Sequence, residues 1–404
     1  MYDVIIIGAG ASGLVSAIVS ARRGKKVLIV EKNNKIGKKL LATGNGKCNI
    51  TNQRPTLDRF YSDNPKFIAQ VFEDYNYQTI KQFFKTIGLE LIEAKEGKVF
   101  PMSLQASSVV ELLVCECEQL GVKILCETEV QNVLKKSDKY ELTHTQGKVK
   151  AEKLVIATGH CSAPQLGGVD MGLTFAKKLG HSIIDSFPTL VQLTSASKNL
   201  KRMAGVKVES KVSLQLNNKT IEKQGDVLFT AYGISGLAIL DISRFVMEAL
   251  LEKRNIMLTI DLMPKMSHGQ LLALMKKSLV KKSSKHLKVW MQGFINKKLI
   301  LPILEPLKLQ NETVASITSN IKELEKIVDG IKAFKFTVNG SKGYKGAEVA
   351  TGGVNTKEVD PKTMESKLHK GVYFTGEVLD VDGDRGGFNL HFAWVCGLRA
   401  GEAM

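Results

Sequence analysis

Three glycines and one acid near the N-terminus have the types and spacing to hold a dinucleotide. Gly8, Gly10 and Gly13 stand in G-x-G-x-x-G order behind the apolar run Val4 to Ile7, and Glu31 closes a second apolar run, Val27 to Val30. The first glycine of such a set permits a tight turn. The second lets backbone N–H groups approach a pyrophosphate at a helix N-terminus, and the third lets helix and strand pack closely. A carboxylate at Glu31 accepts the ribose hydroxyls of an adenosine and repels a 2′-phosphate, which favours FAD or NAD. A second concentration lies at the other end of the chain: Gly376 and Glu377, then Asp380, Asp382, Asp384 and Arg385, then Gly386 and Gly387 opening an apolar helix, Phe388 to Gly401. The positive end of that helix would stabilise an anionic reduced flavin or a phosphate. A third polar segment, Asn33 to Asn52, places Gly44 and Gly46 around Asn45 beside Lys38, Lys39, Lys47, Asn49 and Thr51, all potential donors to phosphate or flavin oxygens.

Metal chemistry is not expected. The three C-terminal aspartates lack the continuation of a calcium loop, and the six cysteines form no C-x-x-C pair, which argues against structural zinc and against a disulfide framework.

The candidate groups need elements to hold them. Val4 to Ile7 and Val27 to Val30 read as strands around a small-residue helix, about Ser12 to Arg23. Leu154 to Ala157 reads as a further buried strand whose Thr158 and Gly159 let the chain pass close to a cofactor. Amphipathic helices are expected over 64–88, a helix from Ser103 to Leu120 stopped by Gly121, and a small antiparallel insertion from Lys123 to Lys150. From Pro188 the texture becomes β-rich, as in a small barrel. Ser267 with Gln270 reads as a capping box starting a helical pair, whose apolar side carries Leu271, Leu274, Leu279, Leu287, Trp290 and Phe294. A further helix, about Thr318 to Val328, is expected to end at Gly330.

At 404 residues the chain should divide into two or three domains. No apolar run approaches the ~20 residues that span a bilayer, and the first residues enter a strand at once, so a cytoplasmic protein with no membrane partner is expected. The formal net charge is +17. No acid occurs between Asp261 and Glu305, whereas Lys276, Lys277, Lys281, Lys282, Lys285, Lys288, Lys297 and Lys298 all do. An excess concentrated in this way fits a polyanion better than a neutral metabolite.

Taken together, the segments KKLLATGNGKCNITN (Lys38 to Asn52), VFPMSLQASSV (Val99 to Val109), ATG (157 to 159), FTAYGISG (Phe229 to Gly236), ATGGV with TMESK (Ala350 to Val354, Thr363 to Lys367) and YFTGEVLDVDGDRGGFNLHFAWVCG (Tyr373 to Gly397) resemble the BaiN/RdsA (YhiN-like) flavoproteins. The resemblance implies an α/β fold in which a Rossmann-like FAD-binding domain (1–188 and 343–404) is interrupted by a β-barrel domain (189–262 and 331–342) and a basic helical subdomain (263–330). It implies that Gly8, Gly10, Gly13 and Glu31 hold the ADP half of FAD, with Ala11, Ser12, Lys32 and Val130 also binding the cofactor. Gly44, Asn45, Cys48 and Asn49 would line the flavin, Gly376 and Glu377 would meet the pyrophosphate or ribityl chain, and Gly386, Gly387 and Phe388 would lie near the isoalloxazine. Lys39, Leu40, Thr43, Ala157, Thr158, Gly159, Asp382 and Asn389 would complete the cofactor-binding set. Ala231, Leu237, His160 and His391 depart from residues usual in relatives and touch the substrate side only.

Members resembling this chain have been linked to dihydrouridine formation in large-subunit ribosomal RNA, to steroid double-bond reduction and to amine oxidation. The charge ranks an NAD(P)H-dependent uridine reductase acting on ribosomal RNA first, with Trp290 and Phe294 in the basic region available for stacking. A small-molecule oxidase or enoate reductase is the alternative. In the first reading a hydride passes from reduced flavin to C6 of uracil and an acid protonates C5, Cys48 and His391 being the candidate acids.

Overall fold

A computed structural model describes residues 1–136, 138–216, 219–279 and 283–404, which fall into two compact units: Met1–Pro188 with Glu348–Met404, and Thr189–Ala347. Among the described residues no helix is long and apolar enough to cross a membrane.

The first unit is built on a parallel sheet. Tyr2–Ile7 pairs with Val27–Val30 on one side and with Gly147–Ile156 on the other, Lys123–Leu125 lies beyond Val27–Val30, and Val372–Phe374 lies beyond Gly147–Ile156. Val4 to Ile7, Val27 to Val30, Leu154 to Ile156 and Val372 to Phe374 are all buried, as strands covered on both faces must be. The antiparallel strands expected over 123–150 are present but belong to the main sheet. Lys123–Leu125 is a parallel member of the main sheet, and Val130–Lys136 and Lys139–His144 extend the same sheet antiparallel through the first half of Gly147–Ile156.

Helix Ala11–Arg22 crosses from the first strand to the second, and the final helix, Phe388–Ala403, packs along it. Gly397 and Gly401, one turn apart, allow the approach. A Cβ on Gly397 would stand 2.8 Å from the Ser12 carbonyl oxygen, and one on Gly401 2.5 Å from the Val19 Cβ. From the same helix buried Arg399 donates to the carbonyls of Gln70, Val71 and Glu73, capping helix Pro65–Phe72.

The second unit is an antiparallel sheet that closes on itself. Its path runs Phe334–Val338, Ile256–Asp261, Lys207–Leu216, Lys219–Phe229, Gly233–Ser235, Leu193–Thr194, Gly340–Ser341. Only Asn339 separates the two ends of that path, and its N–H donates to the Thr194 carbonyl, so one continuous run joins both edges into a small barrel. Helix His268–Lys277 begins at the Ser267–Gln270 capping box. The helices and the barrel share one hydrophobic core, in which Leu271, Leu287 and Ile327 pack with Val212, Leu258 and Phe336. Gly330 does not end its helix. Helix Ile321–Lys332 continues through it, because a glycine there leaves room for Ile303, whose Cγ2 would lie 2.8 Å from an added Cβ.

Candidate functional site

The first strand ends at Ile7, and its carbonyl and Gly8 mark where three strands release their chains. Gly8 takes φ +107°, and a Cβ there would stand 2.5 Å from the Ala157 oxygen; one on Gly13 would stand 2.1 Å from the Gly8 oxygen. Packing demands both glycines. Gly10 differs: its φ is −89°, which any residue adopts, and an added Cβ meets nothing within 4 Å. Neither strain nor crowding requires a glycine there, so the open space suits a group from outside the chain. The helix it opens has no acid in its first turn and no side-chain cap, which leaves N–H groups for an anion. The Ser12 hydroxyl is engaged with Thr375, donating to its carbonyl at 3.2 Å and accepting from its hydroxyl at 3.1 Å, so Ser12 offers a ligand its backbone alone.

Glu31 is oriented rather than free. Its Oε2 accepts from the Ala9 N–H at 2.8 Å and its Oε1 from the backbone and side-chain amides of Asn33 at 2.8 and 2.6 Å. Its backbone pairs with Leu125 and Thr128, which brings the start of the Val130 strand beside it. Half-buried Lys32 follows, while Leu40 and Val130 are core side chains.

A half-buried ion pair knits the middle of the site. Lys39 Nζ lies 2.7 Å from Glu377 Oε2 and 2.6 Å from the Ser162 hydroxyl, which in turn donates to Glu377 Oε1 at 2.9 Å, as does the Ala350 N–H at 3.1 Å. Burial pushes the Glu377 carboxyl up, but the Lys39 ammonium and these hydrogen bonds outweigh it and hold the group below its ordinary value. Gly159 follows Ala157 and Thr158 and runs beside this pair, a Cβ on it lying 3.9 Å from Glu377 Oε2.

Beyond the pair, Gly44, Asn45 and Gly46 adopt left-handed backbone in succession, and all three are exposed. Thr43 opens that turn, and the Asn49 side chain accepts from the Val99 N–H, fixing its far end. Facing elements come from the C-terminus. A Cβ on Gly387 would stand 2.4 Å from the Thr51 oxygen, and the helix from Phe388 has neither an acid in its first turn nor a side-chain cap. The ends of two helices, three glycine turns and an ion pair thus come from six separate stretches of sequence, and their donors suit the phosphates, ribityl chain and ring of a flavin dinucleotide.

Residues 2–403 match the HI0933-like protein Rossmann domain. The chain belongs to the HI0933-like family. It is 35% identical to a 3-dehydro-bile acid delta(4,6)-reductase of Clostridium scindens across 100% of this chain and 99% of the relative. It is also 35% identical to a ribosomal RNA dihydrouridine synthase of Haemophilus influenzae, over 96% of this chain and 95% of the relative. Among solved structures, the 3-ketosteroid-delta4-(5alpha)-dehydrogenase of Rhodococcus jostii covers 100% of this chain and 96% of its own at a TM-score of 0.51 and 14% identity, a likeness of fold. This HI0933-like chain is accordingly an FAD-dependent oxidoreductase.

The two expected acids, His391 and Cys48, are both buried. His391 is fully buried; its Nδ1 is bonded to the Thr51 hydroxyl at 2.8 Å, its Nε2 has no hydrogen-bond partner among the described residues, and burial pushes its pKa down to about 3. Cys48 is also fully buried, and burial raises its thiol to about 11. Neither side chain opens on solvent. Asn389 uses its side chain to hold both the N–H and the carbonyl of Gly383, and Asp382 is buried in a two-residue strand paired with Phe60–Tyr61; both shape the loop before the last helix. Phe388 is buried likewise. Trp290 belongs to the core of the second unit, its ring edge against Phe294, and is not available to stack on a base. Sequence reasoning missed Asn33, Ser162 and Ala350; the partner of Ser162 and Ala350, Glu377, lies on a distant segment. Only Asn33, two residues after its acid, carried a local signal.

Proposed function

We propose that this chain reduces uridine to dihydrouridine in large-subunit ribosomal RNA, with NAD(P)H as electron donor. One observation carries the reading: the second unit holds exposed lysines between Lys276 and Lys297 that have no ion-pair partner among the described residues. Other lysines of the unit have acids, as in Lys207–Asp226 and Lys211–Glu222 on the barrel and Lys326–Glu323 and Lys332–Asp261 on helix Ile321–Lys332. Lys276, Lys277, Lys285, Lys288 and Lys297 are exposed and have no ion-pair partner among the described residues. Lys298 donates to the Ala204 carbonyl at 2.7 Å, and Lys281 and Lys282 lie outside the described residues. Unpaired surface cations repel one another, and phosphates relieve that repulsion. The relative from Haemophilus influenzae carries the corresponding name.

In this reading Gly10 and the first turns of the two uncapped helices hold the cofactor's anionic parts, Glu31 meets the adenosine ribose, and Lys39 and Glu377 border the ribityl chain. Reduced FAD, when bound, supplies a hydride. The chain's own part is to bind, to orient, to exclude water and to deliver a proton to C5 of the base. Ribosomal RNA from cells lacking the protein should have lost a dihydrouridine, and NADPH or NADH should bleach the flavin absorbance of the purified protein anaerobically. An unchanged modification map overturns the RNA substrate. Reduction of a small unsaturated ketone is the second reading, favoured by the full-length match to the bile acid reductase; it predicts turnover of such a ketone and no lost modification.

A further inference from the structure

Beside the opening of the last helix sits a guanidinium that is held on two sides and unused on the third. Arg59 ends the short helix Leu57–Arg59, and its Nε donates to Asp384 Oδ2 at 2.6 Å. Asp384 is itself fixed: its Oδ1 accepts from the Tyr61 hydroxyl at 3.1 Å, and its backbone N–H donates to the Arg59 carbonyl at 2.9 Å. The guanidinium carbon of Arg59 lies over the Phe388 ring, 4.4 Å from its centre, and Phe388 is buried. Two strands pin the same place, Phe60–Tyr61 pairing with Asp382–Gly383, while Asn52 ties Gly386 to the Glu96 carbonyl.

This support immobilises the guanidinium without consuming it. Its two terminal amino groups have no partner among the described residues, and 41% of the side chain remains exposed. A surface ion pair needs no stacking partner and no strand to frame it, and such pairs contribute little to stability. A guanidinium whose orientation is set in advance binds a planar or tetrahedral oxyanion through two parallel N–H···O bonds with little further loss of entropy. The surroundings also suit an anion, since Lys98 neutralises Glu96 and holds its carboxyl below the ordinary range, with Arg385 and Arg59 adding to the effect.

We propose that Arg59 is the substrate-anchoring residue, taking an oxyanion of the substrate on its two free amino groups beside the entrance of the last helix. The inference rests on the flavoenzyme reading, in which that helix faces the reacting ring, and it applies to either substrate reading. In an RNA the oxyanion is a phosphodiester next to the reducible base. In a small molecule it is a carboxylate.

The test uses the flavin-loaded full chain, its Arg59→Gln and Arg59→Lys variants, and two probes: a uridine-containing single-stranded RNA and cholate. Binding is read by fluorescence anisotropy for the RNA and by calorimetry for cholate, and flavin occupancy by absorbance. Arg59→Gln should weaken one probe 10-fold or more with flavin occupancy unchanged, and Arg59→Lys, which keeps the charge but not the fork, should recover only part of it. Loss of RNA affinity identifies the phosphodiester, and replacing single phosphates by neutral methylphosphonates should then find one position whose cost vanishes in Arg59→Gln. Loss of cholate affinity alone identifies the carboxylate and removes the RNA reading while keeping the anchor. Undiminished binding of both probes, or full recovery with lysine, overturns the proposal. Should Arg59→Gln fail to fold, Arg59→Lys against the methylphosphonate series decides alone.

Discussion

Gly10 and Gly13 stand three residues apart and are glycines for opposite reasons. At Gly13 an added methyl would collide with the Gly8 oxygen at 2.1 Å, whereas at Gly10 it meets nothing. Gly13→Ala should therefore destabilise the chain by about 3 kcal/mol, the scale of an overpacked core. Gly10→Ala should change stability by under about 1 kcal/mol and lose bound flavin. Chemical denaturation beside flavin absorbance separates the two, and a Gly10→Ala protein that keeps its flavin would show that the open space serves nothing. His391 yields a pH prediction. Its folded value of about 3 lies below the ordinary 6.5, so as pH falls from about 6.5 the unfolded chain takes up a proton that the folded chain refuses. Stability from this group is complete above about pH 6.5 and is lost at up to roughly 1.4 kcal/mol per pH unit toward pH 3. Tm of the wild type should drop more steeply over that window than Tm of His391→Gln, which can still bond Thr51. Parallel curves would mean that the imidazole is not held neutral.

The pairing of the first and last helices joins the two ends of the chain at one site. Both open on it uncapped, and both are located by the contact at Gly397 and Gly401. Gly397→Val should push the final helix away from Ser12 and Val15, cost roughly 1–3 kcal/mol, and displace Gly387 and Phe388 far enough to reduce flavin occupancy at temperatures where the chain is still folded. Thermal unfolding with flavin release followed in the same sample tests this; release and unfolding that coincide as in the wild type would show that the helix contact supports stability alone. Gly330 teaches a related lesson about elements. A glycine near the end of a helical pattern reads as a stop, yet here it is an interior contact with Ile303. The choice depends on a neighbour that local pattern does not contain.

Across the whole molecule, charge is distributed by pairing as much as by composition. Replacing Lys285 and Lys288 by glutamine should reduce the salt slope of RNA binding by about one per lysine in contact with a phosphate. The same change at Lys207 and Lys211, which already face Asp226 and Glu222, should leave the slope unaltered. Titrating RNA affinity against salt checks both, and equal slopes in all variants would place the RNA elsewhere or nowhere.

Much of this was legible in the residues. The first strand, the Gly8–Gly13 turn, Glu31, the β-rich texture after Pro188, the Ser267–Gln270 cap and the glycine-opened last helix are short-range features, each decided by neighbours within a turn or a strand. What the order of residues could not contain is which distant groups face one another. Lys39 and Glu377 meet across 338 positions, and Arg59 meets Asp384 across 325. Burial was likewise undecided until the chain folded. His391, Cys48 and Trp290 have side chains suited to chemistry or stacking, and tertiary packing enclosed all three, because exposure depends on what the rest of the chain lays over a residue. Local sequence determined the dinucleotide cradle, and the tertiary structure alone decided which polar groups remain free to use it.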